Sequence, residues 1–189
     1  LSYDPSRLTL RHHQCDAYVM PYQMRAVGNF RIWEERDPHT QQLIAIHVWA
    51  QTTEGHRVIS LDNYFTGSRD NKVAGVEYRE GHTKDIEQHI PETIDLMYHL
   101  GEYARVERSL SEPDIVWDLN ARGTFGVLEF WRKRNAAGAK SKLVYAGSST
   151  KFGDGGLARV ATPYAWTKAA NTELVKNYSA WYGLPFAIT

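Results

Sequence analysis

A tyrosine and a lysine, Tyr164 and Lys168, stand four residues apart in a segment whose pattern predicts a helix. At that spacing the two side chains lie on one face of the helix. A phenol has a pKa of about 10, and a neighbouring ammonium lowers it by stabilising the phenolate. The pair can therefore exchange a proton with a substrate hydroxyl or carbonyl. The same spacing also occurs on ordinary helix surfaces, so alone it does not establish a catalytic site.

Three further positions at which a polar or a small residue occurs follow predicted strands. Asp62 ends the strand predicted at 57–61, Leu100-Gly101 closes the strand at 95–100, and Ser148 follows the strand at 142–146. In an open α/β sheet, ligands bind beyond the carboxyl ends of the strands. These signals therefore predict one site at one edge of a sheet, where Ser148 could hold the same substrate oxygen as Tyr164.

The elements that position these residues alternate between strands and helices. A further strand is predicted at 76–80, a last one begins at 185, and helices are predicted around 84–93, at 112–134 and at 163–182. The apolar run at 43–49 fits either a strand or a helical turn. This alternation predicts an α/β fold with a Rossmann-like parallel sheet and flanking helices.

Five motifs in a fixed order make the pattern more specific than any one of them. The set resembles the extended short-chain dehydrogenase/reductases, in particular the NAD-dependent nucleotide-sugar epimerase/dehydratase family, over about residues 55–189. In chain order, the motifs are Leu61-Asp62-Asn63, Tyr98-His99-Leu100-Gly101, Asn120-Ala121-Arg122-Gly123-Thr124, Tyr145-Ala146-Gly147-Ser148 and Pro163-Tyr164-Ala165-Trp166-Thr167-Lys168.

The resemblance implies a catalytic set of Ser148, Tyr164 and Lys168. Tyr164 would be the acid/base, while Lys168 would lower its pKa and bind the nicotinamide ribose. The resemblance implies NAD rather than NADP, because the Asp62 carboxylate would accept hydrogen bonds from the adenosine ribose and repel an added phosphate. The implied cofactor contacts are Asp62, Asn63, Leu100, Gly101, Asn120, Ala146, Tyr164 and Lys168.

Several of these residues also have ordinary structural explanations. Asp62-Asn63 before a glycine is common turn chemistry. Asn120 could bond only to backbone, and His99 is expected to be a satisfied strand histidine rather than a ligand.

The resemblance implies a UDP-glucose 4-epimerase-like reaction, in which a hydride leaves a sugar carbon for NAD and returns to the other face. The acids that dehydratases of the family use are replaced by Ser149 and Thr150, which disfavours the alternative of a nucleotide-sugar dehydratase. The implied partners are a nucleotide-sugar and a second copy of the chain, bound through helices near 112–134 and 163–182.

The chain departs from the family pattern in three places. Residues 1–54 form an atypical segment in which Gly28 stands alone, so the first strand and its G-x-x-G-x-x-G turn are not recognisable. His82 stands where the family has an Asp that contacts adenine. Residues 55–189 are thus expected to form a partial NAD-binding domain that lacks the C-terminal substrate domain. Phosphate contacts could instead come from three arginines: Arg25, Arg31 and Arg36.

These departures leave two alternatives to an enzyme: an inactive fragment or non-catalytic interaction protein, and a dinucleotide-binding regulator.

Composition favours a protein of the cytoplasm. The 22 basic and 22 acidic side chains cancel, which gives no electrostatic reason to expect nucleic acid or a membrane as partner. Cys15 is the single cysteine, which suits a reducing compartment, and no apolar run reaches membrane-spanning length. The segment His12–Asp16 lacks a second ligand cluster, so no metal site is predicted.

Overall fold

The computed structural model describes residues 30–36, 43–50, 56–70, 72, 74–148 and 161–189, with backbone only over 30–36 and 43–50. The chain divides into two compact units. The first takes the described residues up to Ser60 together with 67–78, and the second takes Leu61–Thr66 and Arg79–Thr189.

The first unit contains an antiparallel pair of strands, β1 (Phe30–Arg36) and β2 (Leu43–Ala50). The run at 43–49 is therefore a strand and not a helical turn. Strand β1 has no counterpart among the predicted elements. Its register against β2 shifts between Glu35 and Arg36, where a bulge or irregularity interrupts the pairing.

Strands β3 (Val58–Asp62) and β4 (Val76–Glu80) form a second two-stranded sheet. Both match strands predicted from the sequence. After β4 the chain makes one 3₁₀ turn, Thr83–Asp85, and the short helix α1 (Ile86–His89).

The second unit is built on a parallel sheet with the order β5-β6-β7. These strands are β5 (Leu96–His99), β6 (Lys142–Tyr145) and β7 (Phe186–Ile188). Parallel strands require crossover connections, which here contain helices. The predicted Rossmann-like α/β class is confirmed.

Between β5 and β6 the chain is helical from residue 113 to 136, but not uniformly so. Helix α2 (Pro113–Val116) passes into a π-helical turn, Trp117–Arg122, and then into α3 (Gly123–Ala136). The sequence predicted this helix but not its π turn. Such turns are rare and often occur at functional sites.

Helix α4 (Pro163–Tyr182) connects β6 to β7. Thr162 caps its first turn, and Gly183 ends it in the left-handed conformation, with φ 66°. That conformation is inexpensive only for glycine, which explains why the helix stops there.

The core of the second unit lies where α3 and α4 cover β6. Its fully buried side chains include Val116, Leu128, Phe130, Trp131, Leu143 and Val175. Trp131 satisfies its indole N–H by donating to the Ser141 carbonyl at 2.9 Å. Burying each large apolar side chain contributes about 1.5–3 kcal/mol to stability.

Helix α3 also approaches the 3₁₀ turn before α1 very closely. A Cβ on Gly126 would lie 2.6 Å from the Lys84 Cα, so only glycine permits this contact. The close approach places segment 81–85 against the helix beside the sheet edge.

Candidate active site

The first two turns of α4 carry the tyrosine and lysine singled out from the sequence. Thr162 Oγ1 accepts a hydrogen bond from the Ala165 amide at 3.1 Å, and Pro163 occupies the first helical position. Both features are typical of a helix start. Tyr164 is half-buried in the first turn, and Lys168 lies on the same face one turn later, with only 5% of its side chain exposed.

The Lys168 ammonium binds two oxygen atoms of the protein. It donates one hydrogen bond to the Glu102 carboxylate and another to the Ala146 carbonyl, just beyond β6. It also lies over the Tyr145 ring, 4.5 Å from the ring centroid. An ammonium has three protons, so these two bonds leave one for a further acceptor.

Glu102, on the loop after β5, is the centre of a buried polar network. Its side chain is 4% exposed. Besides Lys168, the carboxylate accepts from Asn171 Nδ2 at 2.9 Å and from the Tyr145 hydroxyl at 3.1 Å, with the Thr124 hydroxyl at 3.4 Å. One strand, β6, and two helices, α3 and α4, thus direct donors at a single carboxylate.

Two titratable neighbours of Glu102 are held uncharged by burial. Desolvation lowers the pKa of His99 to about 4, so the imidazole is neutral at physiological pH. It is hydrogen-bonded through Nε2 to Thr124 Oγ1 at 2.8 Å, as expected for a satisfied strand histidine. Desolvation and then the Glu102 carboxylate raise the pKa of Tyr145, which keeps its hydroxyl a donor.

Asn120, in the π turn, fixes the loop that carries Glu102. Its fully buried side chain accepts from the Tyr103 amide at 2.6 Å and donates to the Tyr103 carbonyl at 3.3 Å. The structure thus gives Asn120 backbone partners in the loop after β5, and its Nδ2 also donates to Thr167 Oγ1 at 3.5 Å, so its bonding is not to backbone alone. Its own carbonyl accepts from Asn171 at 3.1 Å, which joins the π turn to α4.

Leu100, Gly101, Ala146 and Ser148 lie at the carboxyl ends of β5 and β6, as the sequence predicted. Among the described residues, a Cβ on Gly101 would meet only Thr83 Cγ2, at 3.7 Å, so that part of the chain leaves room there. Ser148 is half-buried in the loop that leaves β6, and the adjacent Gly147 amide donates to the Thr189 carbonyl at 2.9 Å.

Asp62 and Asn63 form the turn after β3. Asp62 Oδ1 accepts from the Tyr64 amide at 2.8 Å, and Asn63 Oδ1 accepts from the Phe65 amide at 3.1 Å. Tyr64 adopts a positive φ of 53°, which this turn stabilises. The Phe65 ring contacts the Tyr103 ring edge-on, with centroids 5.6 Å apart. The turn therefore meets the Glu102 loop, with Asp62 exposed.

His82 occupies the position where the family has an adenine-binding acid. Its Nδ1 accepts from the Lys84 amide at 3.0 Å, so its Nε2 is left to carry the proton when the ring is neutral. That Nε2 lies 3.5 Å from the Asp118 carboxylate. Burial, and then the Lys84 charge, lower the pKa of His82 and favour the neutral ring. Nε2 is itself buried and has no hydrogen-bond partner within the described part of the chain, so the ring presents no exposed donor where an Asp would accept.

Sequence reasoning missed Glu102 and Asn171. Glu102 directly follows the Leu100-Gly101 motif at a strand end, and that position was the available signal. Asn171 lies one turn after Lys168 on α4 and so shares its face.

The comparisons with known proteins agree with this geometry. The model of the NAD dependent epimerase/dehydratase family matches residues 44–189, and the chain belongs to this family. The match begins earlier than the resemblance over 55–189 predicted.

Individual relatives support the same class. A Methanocaldococcus jannaschii protein assigned provisionally as a UDP-glucose 4-epimerase is 28% identical over 69% of this chain and 46% of its own length. The UDP-glucose 4-epimerase of Streptomyces lividans is 26% identical over 69% and 42%. The Thermus thermophilus UDP-glucose 4-epimerase, solved with NAD, superposes with a TM-score of 0.60 at 25% identity, covering 72% and 47%. The chain thus spans less than half the length of these relatives.

No described helix is both long and apolar enough to cross a membrane. Within the same part of the chain, no cluster of three or more His, Cys, Asp or Glu could hold a metal ion. The segment His12–Asp16 lies outside the described residues.

Proposed function

We propose that this chain carries the NAD-binding, catalytic half of a nucleotide-sugar epimerase of the UDP-glucose 4-epimerase type. The observation that supports it most is the buried Lys168 ammonium, one helical turn after Tyr164 and directed at the carboxyl edge of β6. A buried cation has a desolvation cost that a purely structural surface lysine would not incur.

Tyr164 would act as the acid/base of the reaction. It would take the proton of a sugar hydroxyl as that carbon is oxidised and return it when the opposite hydroxyl forms. Lys168 would favour the phenolate form by its positive charge. Ser148 would hold the same substrate oxygen by hydrogen bonding.

NAD fits the residues at this edge. When bound, it would accept a hydride from the sugar carbon and return it to the other face. Lys168 has one uncommitted proton for a ribose hydroxyl, and the open side of Gly101 gives a flat group close access to the backbone. Leu100 and Ala146 would border the same space, while Asn120 would hold the loop beneath it.

The adenosine end would be bound by Asp62 and Asn63. Asp62 uses Oδ1 in its own turn, so Oδ2 is available to accept from ribose hydroxyls. The structural and the cofactor explanations of this residue are therefore compatible. His82 would supply no hydrogen bond to the base, because its Nδ1 accepts from the Lys84 amide and its Nε2 is buried.

Epimerisation is favoured over dehydration, because water elimination needs an acid where this chain has Ser149 and Thr150. The nucleotide-sugar class is supported by the names of the UDP-glucose 4-epimerase relatives.

A homodimer through the helices near 112–134 and 163–182 is part of this proposal. Trp117 and Trp166, one on each helical segment, stack with centroids 5.8 Å apart while 51% and 46% exposed. Exposed aromatic pairs of this kind are typical of protein interfaces. The proposed setting is the cytoplasm, without a nucleic-acid or membrane partner, which the balanced charge supports.

Calorimetry of NAD binding to the purified chain tests the proposal. We expect binding that weakens about tenfold in Asp62→Ala, since a charge-assisted hydrogen bond contributes about 1.5–3 kcal/mol. Tyr164→Phe should retain binding but lose epimerase activity in the full-length enzyme. Asp70→Ala is the matched control, because the Asp70 carboxylate likewise accepts a hydrogen bond within an exposed turn, from the Ser68 hydroxyl at 3.1 Å.

Absence of binding heat at millimolar NAD would overturn the cofactor assignment and favour a non-catalytic interaction protein. Binding that Asp70→Ala weakens as much as Asp62→Ala would show that Asp62 acts only through its turn.

A further inference from the structure

Glu102 has no part in the acid/base step, yet it is the partner of the lysine on which that step depends. We propose that Glu102 is a positioning residue that fixes the Lys168 ammonium and balances its charge, and thereby sets how readily Tyr164 releases its proton. This inference rests on the proposed function.

Burial and hydrogen bonding hold the Glu102–Lys168 ion pair in one geometry. The side chains of Glu102 and Lys168 are 4% and 5% exposed, so neither is screened by bulk water. Asn171 and Tyr145 donate to Oε1 of the carboxylate, while Lys168 donates to Oε2. A carboxylate fixed by this many donors holds its partner in one position.

The same geometry orients the remaining proton of Lys168. Two of its three protons are directed at Glu102 and at the Ala146 carbonyl. Tetrahedral geometry then leaves a single direction for the third. Loss of Glu102 would free a second proton and let the ammonium rotate.

Among the described residues of this network, only Lys168 and Glu102 carry charges that face each other. His99 on β5 is neutral, because burial lowers its pKa to about 4. Tyr145 on β6 is protonated, since burial raises its pKa. The polar neighbours from α3 and α4, Thr124 and Asn171, do not ionise. Glu102 therefore offsets the Lys168 charge, and Tyr164 experiences the pair rather than an isolated cation.

Titration of Tyr164 by NMR tests the inference without cofactor or substrate. The tyrosines are labelled with ¹³C at Cζ, and Tyr164→Phe assigns the Tyr164 signal. We expect Glu102→Gln to lower the titration midpoint of Tyr164 by about one pKa unit, a tenfold change in the phenolate ratio, because an opposing charge has been removed. Lys168→Met should move the midpoint the other way.

Two variants act as controls. Glu102→Asp keeps the charge and should restore most of the wild-type midpoint, which loss of packing alone would not do. Glu112→Gln alters a carboxylate that bonds only the Tyr103 hydroxyl, at 2.6 Å, and should leave Tyr164 unchanged. If Glu102→Gln does not fold, the Glu102→Asp and Lys168→Met midpoints decide in its place: Lys168→Met must raise the midpoint while Glu102→Asp stays near wild type.

The outcomes separate this inference from the proposed function. A midpoint that is depressed in the wild type but unmoved by Glu102→Gln overturns the role of Glu102 and leaves the catalytic assignment intact. A midpoint equal to that of free tyrosine in every variant overturns both, because Lys168 would then not act on Tyr164.

Discussion

The two ends of the proposed cofactor site are held by opposite physical means. At the nicotinamide end, Lys168 and Glu102 are buried and satisfied by partners from four elements of the fold. At the adenosine end, Asp62 is exposed, and among the described residues its carboxylate bonds only the amide of its own turn. At the buried end, a change in the site also changes the stability of the fold, because removing one charge of the Lys168–Glu102 pair leaves the other buried without its countercharge.

At the exposed end, ligand binding and the stability of the fold are independent. Water solvates the part of the Asp62 carboxylate that makes no protein contact, so a substitution there affects ligand binding more than it affects stability. The comparison predicts that substitutions at the buried end destabilise the protein strongly, while those at the exposed end act on binding alone.

Lys168→Met should have the largest effect on stability. It leaves the buried Glu102 carboxylate without its countercharge, which costs about 3–5 kcal/mol in comparable pairs. Urea denaturation followed by circular dichroism measures the loss. Adding Glu102→Gln removes the stranded charge and should recover a large part of it.

Lys176→Met on the same helix is the matched control. Lys176 is 48% exposed and pairs with Glu173 at 2.8 Å, and an exposed pair contributes less than about 1 kcal/mol. Equal losses from the two lysine substitutions would contradict the view that the Lys168 pair is structurally distinct.

Asn120→Ala should have the next largest effect. It leaves the buried amide and carbonyl of Tyr103 without their partner, and an unsatisfied buried polar group costs about 1–3 kcal/mol. The free energy of unfolding should fall by about 2 kcal/mol in the same assay. Asn177→Ala, an exposed position on α4, is the control and should change it by less than about 0.5 kcal/mol.

The pH dependence of stability tests the buried end in another way. The pKa of His99 in the folded protein, about 4, lies below its ordinary value of 6.5. Between these values the unfolded chain binds more protons, so stability should rise with pH, by up to about 1.4 kcal/mol per pH unit.

Unfolding at pH 5.5 and 6.5 measures this slope, and His99→Gln should reduce it by about 1 kcal/mol. His82 has a lowered pKa as well and contributes in the same direction in both proteins, so the difference isolates His99. A slope that His99→Gln leaves unchanged would mean that the pKa of His99 is not lowered in the folded state.

The helix that carries Tyr164 and Lys168 could be predicted because its signals are local. Pro163 marks the first turn, and the spacing of four places both side chains on one face. The strands β5 and β6 could be predicted for the same reason, and with them the edge where Gly101 and Ser148 lie.

The partner of Lys168 could not be predicted, because Glu102 precedes it by 66 residues and meets it only through the fold. The π turn at Trp117–Arg122 was hidden as well, since its apolar spacing resembles that of an α-helix. Strand β1 lacked a sustained apolar pattern, and the last three of its seven residues are all charged.

Asp62→Asn should have the smallest effect on the fold. The Asn amide oxygen can still accept from the Tyr64 amide, so the turn and its positive φ persist, and the free energy of unfolding should change by less than about 0.5 kcal/mol. NAD affinity should nevertheless fall, because an amide is a weaker acceptor than a carboxylate. Calorimetry and urea denaturation on one preparation compare the two quantities directly. A loss of stability without a loss of NAD affinity would contradict the assignment of Asp62 to ligand binding and would show that it only stabilises its turn.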